Sequence, residues 1–328
     1  MAFWDSVAGL ELRVDGYALE RHESSTPSGW TRVTTVVEID GEDAAGLGED
    51  VTYEAESHDG VPAELMLAGT WRFADFSLFL DRFEELAEGY RRWAFESAAL
   101  DLALRQNGLG LGDALGRAER PVRFVVSTHG EPGSWLAVAP DLEFKLDAAR
   151  DWDRDLLRRL HALDRVRVVD LKAYYRGTAV DLAPDPELYR AVAEELPDVV
   201  IEDAWLEDGC LEALAGAEDR LSFDAPVRSL ADLNGLSVSP RWLNIKPSRF
   251  GTVRELLATI EAAEERGIRM YGGGQYELGP GRLHIQRLAS VFYPDGPNDV
   301  APSAYNEGDP REGLPQSPLP APTGPGLA

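Results

Sequence analysis

Lysine is the scarcest charged residue in this chain. Lysine and arginine together number 32, but only three of them are lysines, namely Lys145, Lys172 and Lys246. Arginine serves wherever a permanent cation is needed, whereas a lysine can lose its proton and act as a base. The three lysines are therefore candidates for catalysis.

Cysteine is almost absent as well. Cys210 is the only one, which excludes an internal disulfide and any metal cluster built on cysteine. It lies in LEDGCLEAL, which predicts a helix start, and no histidine lies nearby in the sequence. We therefore interpret Cys210 as a core residue rather than as a nucleophile.

The chain also lacks long apolar runs and an excess of positive charge. No apolar run approaches the roughly 20 residues of a membrane span, and the N-terminus lacks the segments of a signal peptide. The net charge of −26 opposes binding to nucleic-acid phosphates. We therefore expect a cytoplasmic protein that binds neither membranes nor nucleic acid. The sequence is compatible with assembly into a homo-oligomer.

Strand-like and helix-like segments both occur before residue 118. LELRVDGYALE and WTRVTTVVEID predict strands, and apolar residues from Phe76 to Tyr90 recur at helical spacing. We interpret residues 1–117 as an α+β domain.

From residue 118 onward, short apolar strands alternate with helix-like segments. This alternation predicts a parallel sheet with right-handed crossovers. The number of units favours a (β/α) barrel over an open doubly wound sheet, for which no GxGxxG motif is present. The predicted strands are VRFVVST, LEFKLDA, VRVVDLKAYY, DVVIEDAW, RLSFDAP, RWLNIKPS and IRMYGGG.

Two features set the limits of this barrel. Only 13 residues, HGEPGSWLAVAPD, separate its first two strands, so we expect the first barrel helix to be missing or short. The proline-rich residues 307–328 predict a disordered tail. The barrel domain is therefore placed at residues 118–306.

Acidic residues and lysines share the ends of the predicted strands, where barrels place their reacting groups. Three carboxylates on successive strands, without histidine or cysteine, suit Mg²⁺. The alternative is that these acids only cap the helices that follow. The set consists of Lys145, Asp170, Lys172, Glu202, Asp203, Asp224 and Lys246.

A magnesium ion beside lysine bases indicates removal of a proton from the carbon next to a carboxylate. The product of that step is an enediolate, whose negative oxygens a divalent ion stabilises. A buried lysine near such an ion is expected to have a lowered pKa, which lets it act as the base.

These motifs resemble those of the enolase superfamily, in particular its muconate-lactonizing and o-succinylbenzoate synthase-like subgroup. Asp170, Glu202, Asp224 and Lys246 follow at spacings of 32, 22 and 22 residues, and NIKPSRFG is the most specific motif. GLGED, residues 46–50, resembles a Gly-x-Gly-Glu turn of the family. The resemblance implies a modified (β/α)₇β barrel behind an N-terminal α+β capping domain, with Mg²⁺ held by Asp170, Glu202 and Asp224.

The second-strand motif departs from the family. The family has Lys-x-Lys there, and this chain has Glu143-Phe144-Lys145. Lys145 takes either the second position, facing the substrate, which we favour, or the first position, which leaves Asp147 where a base should be. On the third strand, Lys172 replaces an asparagine of the family. It either anchors a substrate carboxylate, serves as an added acid, or forms an ion pair with a neighbouring carboxylate.

Positions at the predicted strand ends also suggest substrate contacts. Gln275 and Glu277 lie in the seventh-strand motif, and His129 ends the first barrel strand. They are our candidates for substrate binding.

The resemblance implies a lyase or isomerase. We favour dehydration, as in o-succinylbenzoate synthase, with Lys145 and Lys246 on opposite faces of a small carboxylate. A dipeptide or N-acylamino acid epimerase, a racemase or a cycloisomerase uses the same residues. A non-catalytic barrel that binds a metal or a ligand is the alternative from another class.

Overall fold

The computed structural model describes residues 2–26, 29–128, 132–178, 180–307 and 309–328 of a mixed α/β protein. Antiparallel strands and four α-helices make up its first part. These elements are α1 (Phe3–Ala8), β1 (Glu11–Val14), β2 (Gly16–Ser25), β3 (Thr31–Gly41), β4 (Ala44–Asp50), β5 (Gly69–Arg72), α2 (Phe73–Leu80), α3 (Gly89–Gln106) and α4 (Leu111–Leu115), with 3₁₀ turns at Ala55–Gly60 and Glu84–Leu86.

Strands β2, β3 and β4 form an antiparallel sheet on which helix α3 packs, and β1 pairs with β5. Two glycines permit the close approach of α3. A Cβ atom on Gly46 would lie 2.1 Å from the carbonyl oxygen of Ala98, and one on Gly48 would lie 1.9 Å from that of Ala94. GLGED therefore lies in strand β4, and the expectation of a turn there is wrong.

The second part contains seven parallel strands in which neighbours in sequence are neighbours in space. Helices or 3₁₀ turns connect them. The elements are β6 (Val126–Thr128), α5 (Gly133–Val138), β7 (Phe144–Asp147), α6 (Arg154–Leu163), β8 (Val166–Asp170), α7 (Pro186–Glu195), β9 (Val200–Glu202), α8 (Cys210–Ala213), Glu218–Arg220, β10 (Leu221–Phe223), α9 (Leu230–Gly235), β11 (Trp242–Ile245), Pro247–Phe250, α10 (Val253–Glu265), β12 (Arg269–Gly272), α11 (Gly281–Phe292) and Ser303–Glu307.

A short eighth segment joins the two edges of this sheet. Asn298 bridges Phe124, just before β6, and Asp299 bridges Gly273, just after β12. The predicted barrel of seven βα units and a final strand-like segment is therefore confirmed. Its first helix, α5, is present but has only six residues.

A carboxylate connects the antiparallel part to the barrel. Glu49 of β4 accepts hydrogen bonds from the backbone N–H groups of Leu278 at 2.7 Å, Gly279 at 2.9 Å and Gly281 at 2.9 Å. These donors lie at the N-terminus of α11, whose dipole favours a negative charge. Glu49 therefore helps to fix the first part of the chain above the seventh strand of the barrel.

The C-terminal tail packs against the rest of the protein, so the prediction of a disordered tail is wrong for its described residues. Leu319 forms an antiparallel bridge with Val122. Leu327 is 1% exposed, and its N–H donates to Asp101 Oδ1 at 2.5 Å. Composition did not reveal this docking, because the partners are far away in the sequence.

Two further expectations concern burial and membranes. Cys210 is buried at the start of α8, as expected of a core residue. Over the part of the chain that the structure describes, no helix has both the length and the apolar character that crossing a bilayer requires.

Candidate active site

Four buried carboxylates lie where β8, β9 and β10 end. Asp170 ends β8, Glu202 ends β9, Asp203 follows Glu202 directly, and Asp224 follows β10. Oxygen atoms of Asp170, Glu202 and Asp203 all lie within 4.8 Å of one another. Because carboxylates at this spacing can share one hard cation, these three form the candidate metal centre.

Asp203 is the third acid of this cluster, whereas the family resemblance implied Asp224 as the third metal ligand. Strand alternation predicts that the side chain of Asp203 points away from that of Glu202. Its backbone, however, is left-handed, with a φ of 52°, which breaks the alternation. The oxygens of Asp203 also accept hydrogen bonds from the backbone N–H groups of Asp224 at 2.8 Å and Ala225 at 3.1 Å. The only sequence signal for Asp203 was its place beside Glu202.

Burial and repulsion decide how readily the cluster ionises. Burial raises the pKa of Glu202 to about 8, despite the opposing charge of Lys145. Burial and neighbouring carboxylates raise the pKa of Asp203 to about 7. Burial also acts on Asp170, but Lys172 and Lys145 outweigh it and hold the pKa of Asp170 well below its usual value. Full ionisation of all three acids therefore calls for additional positive charge.

Lys145 lies one layer below the acidic cluster, inside the barrel. In the register of β7 and β8 it pairs with Val168, whereas Asp147 pairs with Asp170. Its Nζ donates to Glu202 Oε1 and lies 3.4 Å from Asp170 Oδ2. Burial lowers the pKa of Lys145, but these two carboxylates raise it well above its usual value. The register favours the alternative in which Lys145 takes the first Lys-x-Lys position and Asp147 the second.

Lys172 lies just after β8, at the end of the barrel where the strands finish, which we call the mouth. Two carboxylates form ion pairs with it. Its Nζ is 2.6 Å from Asp170 Oδ2, 3.1 Å from Asp147 Oδ1 and 5.1 Å from the ring centroid of Tyr175. Burial lowers the pKa of Lys172, but the two aspartates raise it well above its usual value. Of the roles considered for Lys172, the ion pair is the one that the structure contains.

Lys246 follows β11 and pairs with Asp224. The distance from its Nζ to Asp224 Oδ2 is 2.8 Å, and Arg249 lies 2.9 Å from the other oxygen, Oδ1. Burial raises the pKa of Asp224, but Arg249 and Lys246 outweigh this effect and lower it to about 2. Arg249 also donates to the hydroxyl of Tyr175 at 2.9 Å. No role for Arg249 was predicted from the sequence, although it stands in NIKPSRFG.

Gln275 connects the first part of the chain to Arg249. In the amide orientation that satisfies both neighbours, its nitrogen donates to the Tyr53 hydroxyl at 2.8 Å and its oxygen accepts from Arg249 Nε at 2.5 Å. Its backbone carbonyl accepts from Arg32 at 2.9 Å. Arg249 therefore connects the side chain of Gln275 to Asp224.

The other two predicted substrate contacts are Glu277 and His129. Glu277 is 3% exposed and accepts the N–H of Gln275 at 2.6 Å, with Arg282 at 3.5 Å. These contacts give it a structural role in the loop after β12. His129 lies outside the described residues.

The charges around the mouth do not balance. The described side chains of this network comprise six carboxylates and four cations, so negative charges exceed positive ones by two when every group is ionised. An excess of this size and a set of oxygen donors suit one hard divalent cation, so the residues fit Mg²⁺. The carboxylates are Asp147, Asp170, Glu202, Asp203, Asp224 and Asp299, and the cations are Lys145, Lys172, Lys246 and Arg249.

Two family models together match almost the whole chain. Residues 5–114 match the model described as "Domain of unknown function (DUF8230) N-terminal domain". Residues 118–307 match the corresponding C-terminal domain of the same family.

Two curated proteins are similar in sequence. An o-succinylbenzoate synthase from Geobacillus stearothermophilus is 26% identical over 229 residues, which cover 65% of this chain and 59% of the synthase. An N-succinylamino acid racemase from Thermus thermophilus is 26% identical over 340 aligned positions, which cover 92% of this chain and 88% of the racemase. The matched part of the chain thus spans about three fifths of the synthase.

Solved structures show the same fold. An enolase-superfamily protein from Listeria innocua has a TM-score of 0.75 at 17% identity, covering 96% of this chain and 94% of that one. A dipeptide epimerase from Methylococcus capsulatus, complexed with Mg, has a TM-score of 0.73 at 22% identity, covering 96% and 99%. The fold is therefore that of the enolase superfamily, as the sequence motifs predicted.

Proposed function

Because this chain belongs to the DUF8230 family and has the fold of the enolase superfamily, we propose that it is a Mg²⁺-dependent lyase or isomerase. Its reaction removes a proton from the carbon next to a carboxylate of a small molecule. One observation carries this proposal, namely the buried cluster of Asp170, Glu202 and Asp203 at the barrel end that also holds the buried Lys246.

The acidic cluster would hold the metal. Asp170, Glu202 and Asp203 are the proposed ligands, and Asp224, which the resemblance implies as a ligand, lies beside them. When bound, the ion supplies positive charge that stabilises negative charge on the substrate carboxylate and lowers the pKa of neighbouring lysines.

Lys246 is the proposed base. Burial lowers its pKa, but the carboxylate of Asp224, 2.8 Å from Nζ, raises it above the usual value. Arg249 and Lys145 act in the opposite direction to Asp224. If the negative charge on Asp224 is reduced, Arg249 and Lys145 favour the neutral form of the Lys246 amine. The neutral amine can accept the substrate proton.

Elimination of water, as in o-succinylbenzoate synthase, is the reaction that we favour. It needs one base on the face of the leaving group, whereas racemisation needs a competent acid or base on each face. Lys145 lies one layer below the mouth and is held by Glu202 and Asp170. Lys246 is therefore the better placed of the two lysines for a reaction with a single base.

Racemisation or epimerisation is the second candidate. The similarity to the racemase covers 92% of this chain, more than the 65% covered by the synthase. Lys172 offers a second amine at the level of the mouth, since it contacts both Asp147 and Asp170.

Solvent deuterium exchange tests the proposal whatever the product is, because the label reports on the α-carbon itself. The protein is incubated with Mg²⁺ and a library of small carboxylates in deuterated water and analysed by mass spectrometry and NMR. We expect one class of carboxylate to lose water, and Lys246→Ala to abolish this reaction. Deuterium at the α-carbon without loss of water would assign an epimerase or racemase instead.

A matched variant separates catalysis from charge balance. Lys246→Arg keeps a cation beside Asp224 but cannot supply a neutral amine. We expect it to fold and bind Mg²⁺ like the wild type, yet to be inactive. If no carboxylate reacts while the wild type still binds Mg²⁺, the chain is a non-catalytic metal-binding barrel and the proposal is wrong.

A further inference from the structure

Tyr271 of β12 lies inside the barrel directly below the acidic cluster. It is fully buried, and its ring packs in a small interior group with Val168 and Val200. Its hydroxyl donates to Glu202 Oε2 and lies 3.0 Å from the Ser222 hydroxyl. The apolar layer thus ends in a phenol that points at a candidate metal ligand.

Donors from three strands hold the carboxylate of Glu202. Asn244 of β11 donates from Nδ2 to Oε2 at 3.2 Å, and Lys145 of β7 donates to Oε1. With Tyr271, these contacts engage both oxygens of Glu202. A glutamate side chain has several rotatable bonds, so such contacts select one orientation of its carboxylate.

The donors on Oε2 differ from Lys145 in charge. Lys145 is a cation, so it repels a metal ion that approaches Glu202. A phenol and an amide are neutral, so they orient the carboxylate without opposing the ion's charge. Buried hydrogen bonds to a ligating carboxylate commonly determine how well it binds its metal.

We propose that Tyr271, together with Asn244, is a positioning residue that holds Glu202 Oε2 in the orientation required for Mg²⁺ binding. This inference rests on the proposed function, since it assumes that the acidic cluster binds Mg²⁺.

Isothermal titration of Mg²⁺ into the full-length protein without substrate tests the inference. Tyr271→Phe removes only the hydroxyl, and we expect the Kd for Mg²⁺ to rise by roughly 10- to 100-fold. Ser222→Ala is the matched control, because Ser222 contacts the Tyr271 hydroxyl; we expect its Kd to stay within about twofold of wild type. Glu202→Gln provides the reference for loss of the ligand itself.

The outcomes separate the inference from the function on which it rests. If the wild type does not bind Mg²⁺, the proposed metal centre fails and the inference fails with it. If the wild type binds and Tyr271→Phe binds equally well, only the inference is overturned. Should Tyr271→Phe not fold, as judged by circular dichroism, Asn244→Ala replaces it, with a weaker Kd expected. If neither variant folds, the two donors are structural and the inference is wrong.

Discussion

Replacing Lys145 with methionine tests whether its ammonium balances the buried acids. The side chain of Lys145 is 2% exposed, and those of Glu202 and Asp170 are fully buried. Methionine keeps an unbranched side chain of similar length but removes the charge. The variant therefore leaves the carboxylates around Glu202 without their central cation.

The expected loss of stability is large. Removing one partner of a buried ion pair costs about 3–5 kcal/mol, because the remaining charge stays buried without compensation. At the Tm, this corresponds to a fall of roughly 4 to 7 °C for a chain of 328 residues, taking an unfolding entropy of about 2.1 cal/mol/K per residue. The loss should be greatest above the pKa of Glu202, about 8, where both acids carry a charge. It should shrink as pH falls through that value, because Glu202 then binds a proton, and shrink further in acid, where Asp170 of the variant binds one as well.

Thermal and urea unfolding in a metal-free buffer measure this loss, with Arg154→Met as the matched control. Arg154 pairs with Glu195 at the surface, where its side chain is 43% exposed, so we expect no resolvable change. Added Mg²⁺ at 100 times its Kd should restore about 2.7 kcal/mol to the Lys145→Met variant. Since the negative excess at the site is larger in this variant, its Kd for Mg²⁺ should be below that of the wild type.

A Lys145→Met variant as stable as the wild type at neutral pH would refute the reasoning. It would mean that Lys145 does not stabilise the charge of Asp170 in the folded protein. A deficit that stays constant down to acidic pH would refute it as well, because packing rather than charge would then account for the loss.

Two further predictions follow from other contacts. Arg249→Met removes a guanidinium that lowers the pKa of Asp224; this pKa, about 2 in the wild type, should rise by about one to three units. Carboxyl NMR titration of the metal-free protein should show this rise directly, and an unchanged pKa of Asp224 would mean that Arg249 does not lower it. Leu327→Ala truncates a side chain of the tail that is 1% exposed, and it should lower the free energy of unfolding by about 2–5 kcal/mol, measured by urea denaturation. A loss below about 0.5 kcal/mol would mean that the tail does not depend on this contact in solution.

The barrel could be predicted because its signals are local. Short β-branched strands alternate with helical periodicity, and each strand ends at a position that chain connectivity alone brings to one end of the barrel. Asp170, Glu202 and Lys246 were placed at this end of the barrel in this way. The short first helix followed from the 13 residues available between the first two strands. The division of the chain at residue 117 stays a prediction.

The errors have a common cause in contacts between distant segments. The tail was predicted to be disordered from its proline content, yet Leu327 is buried and bonds to Asp101. GLGED was expected to be a turn because it resembles one in the family, yet its glycines make room for helix α3 against strand β4. Local composition describes what a segment can do alone, and packing against a distant partner changes the outcome.

By itself, the sequence determined the barrel, the end at which the proposed site lies and the scarcity of lysine that pointed there. The tertiary structure decided how those groups are arranged. A left-handed backbone at Asp203 turns its side chain into the cluster with Glu202. The register of β7 and β8 places Lys145 one layer below Asp170, with Asp147 at the level of Asp170. The physical reason is that periodicity fixes which residues face the interior, whereas backbone deviations, register and shared partners fix which interior atoms meet.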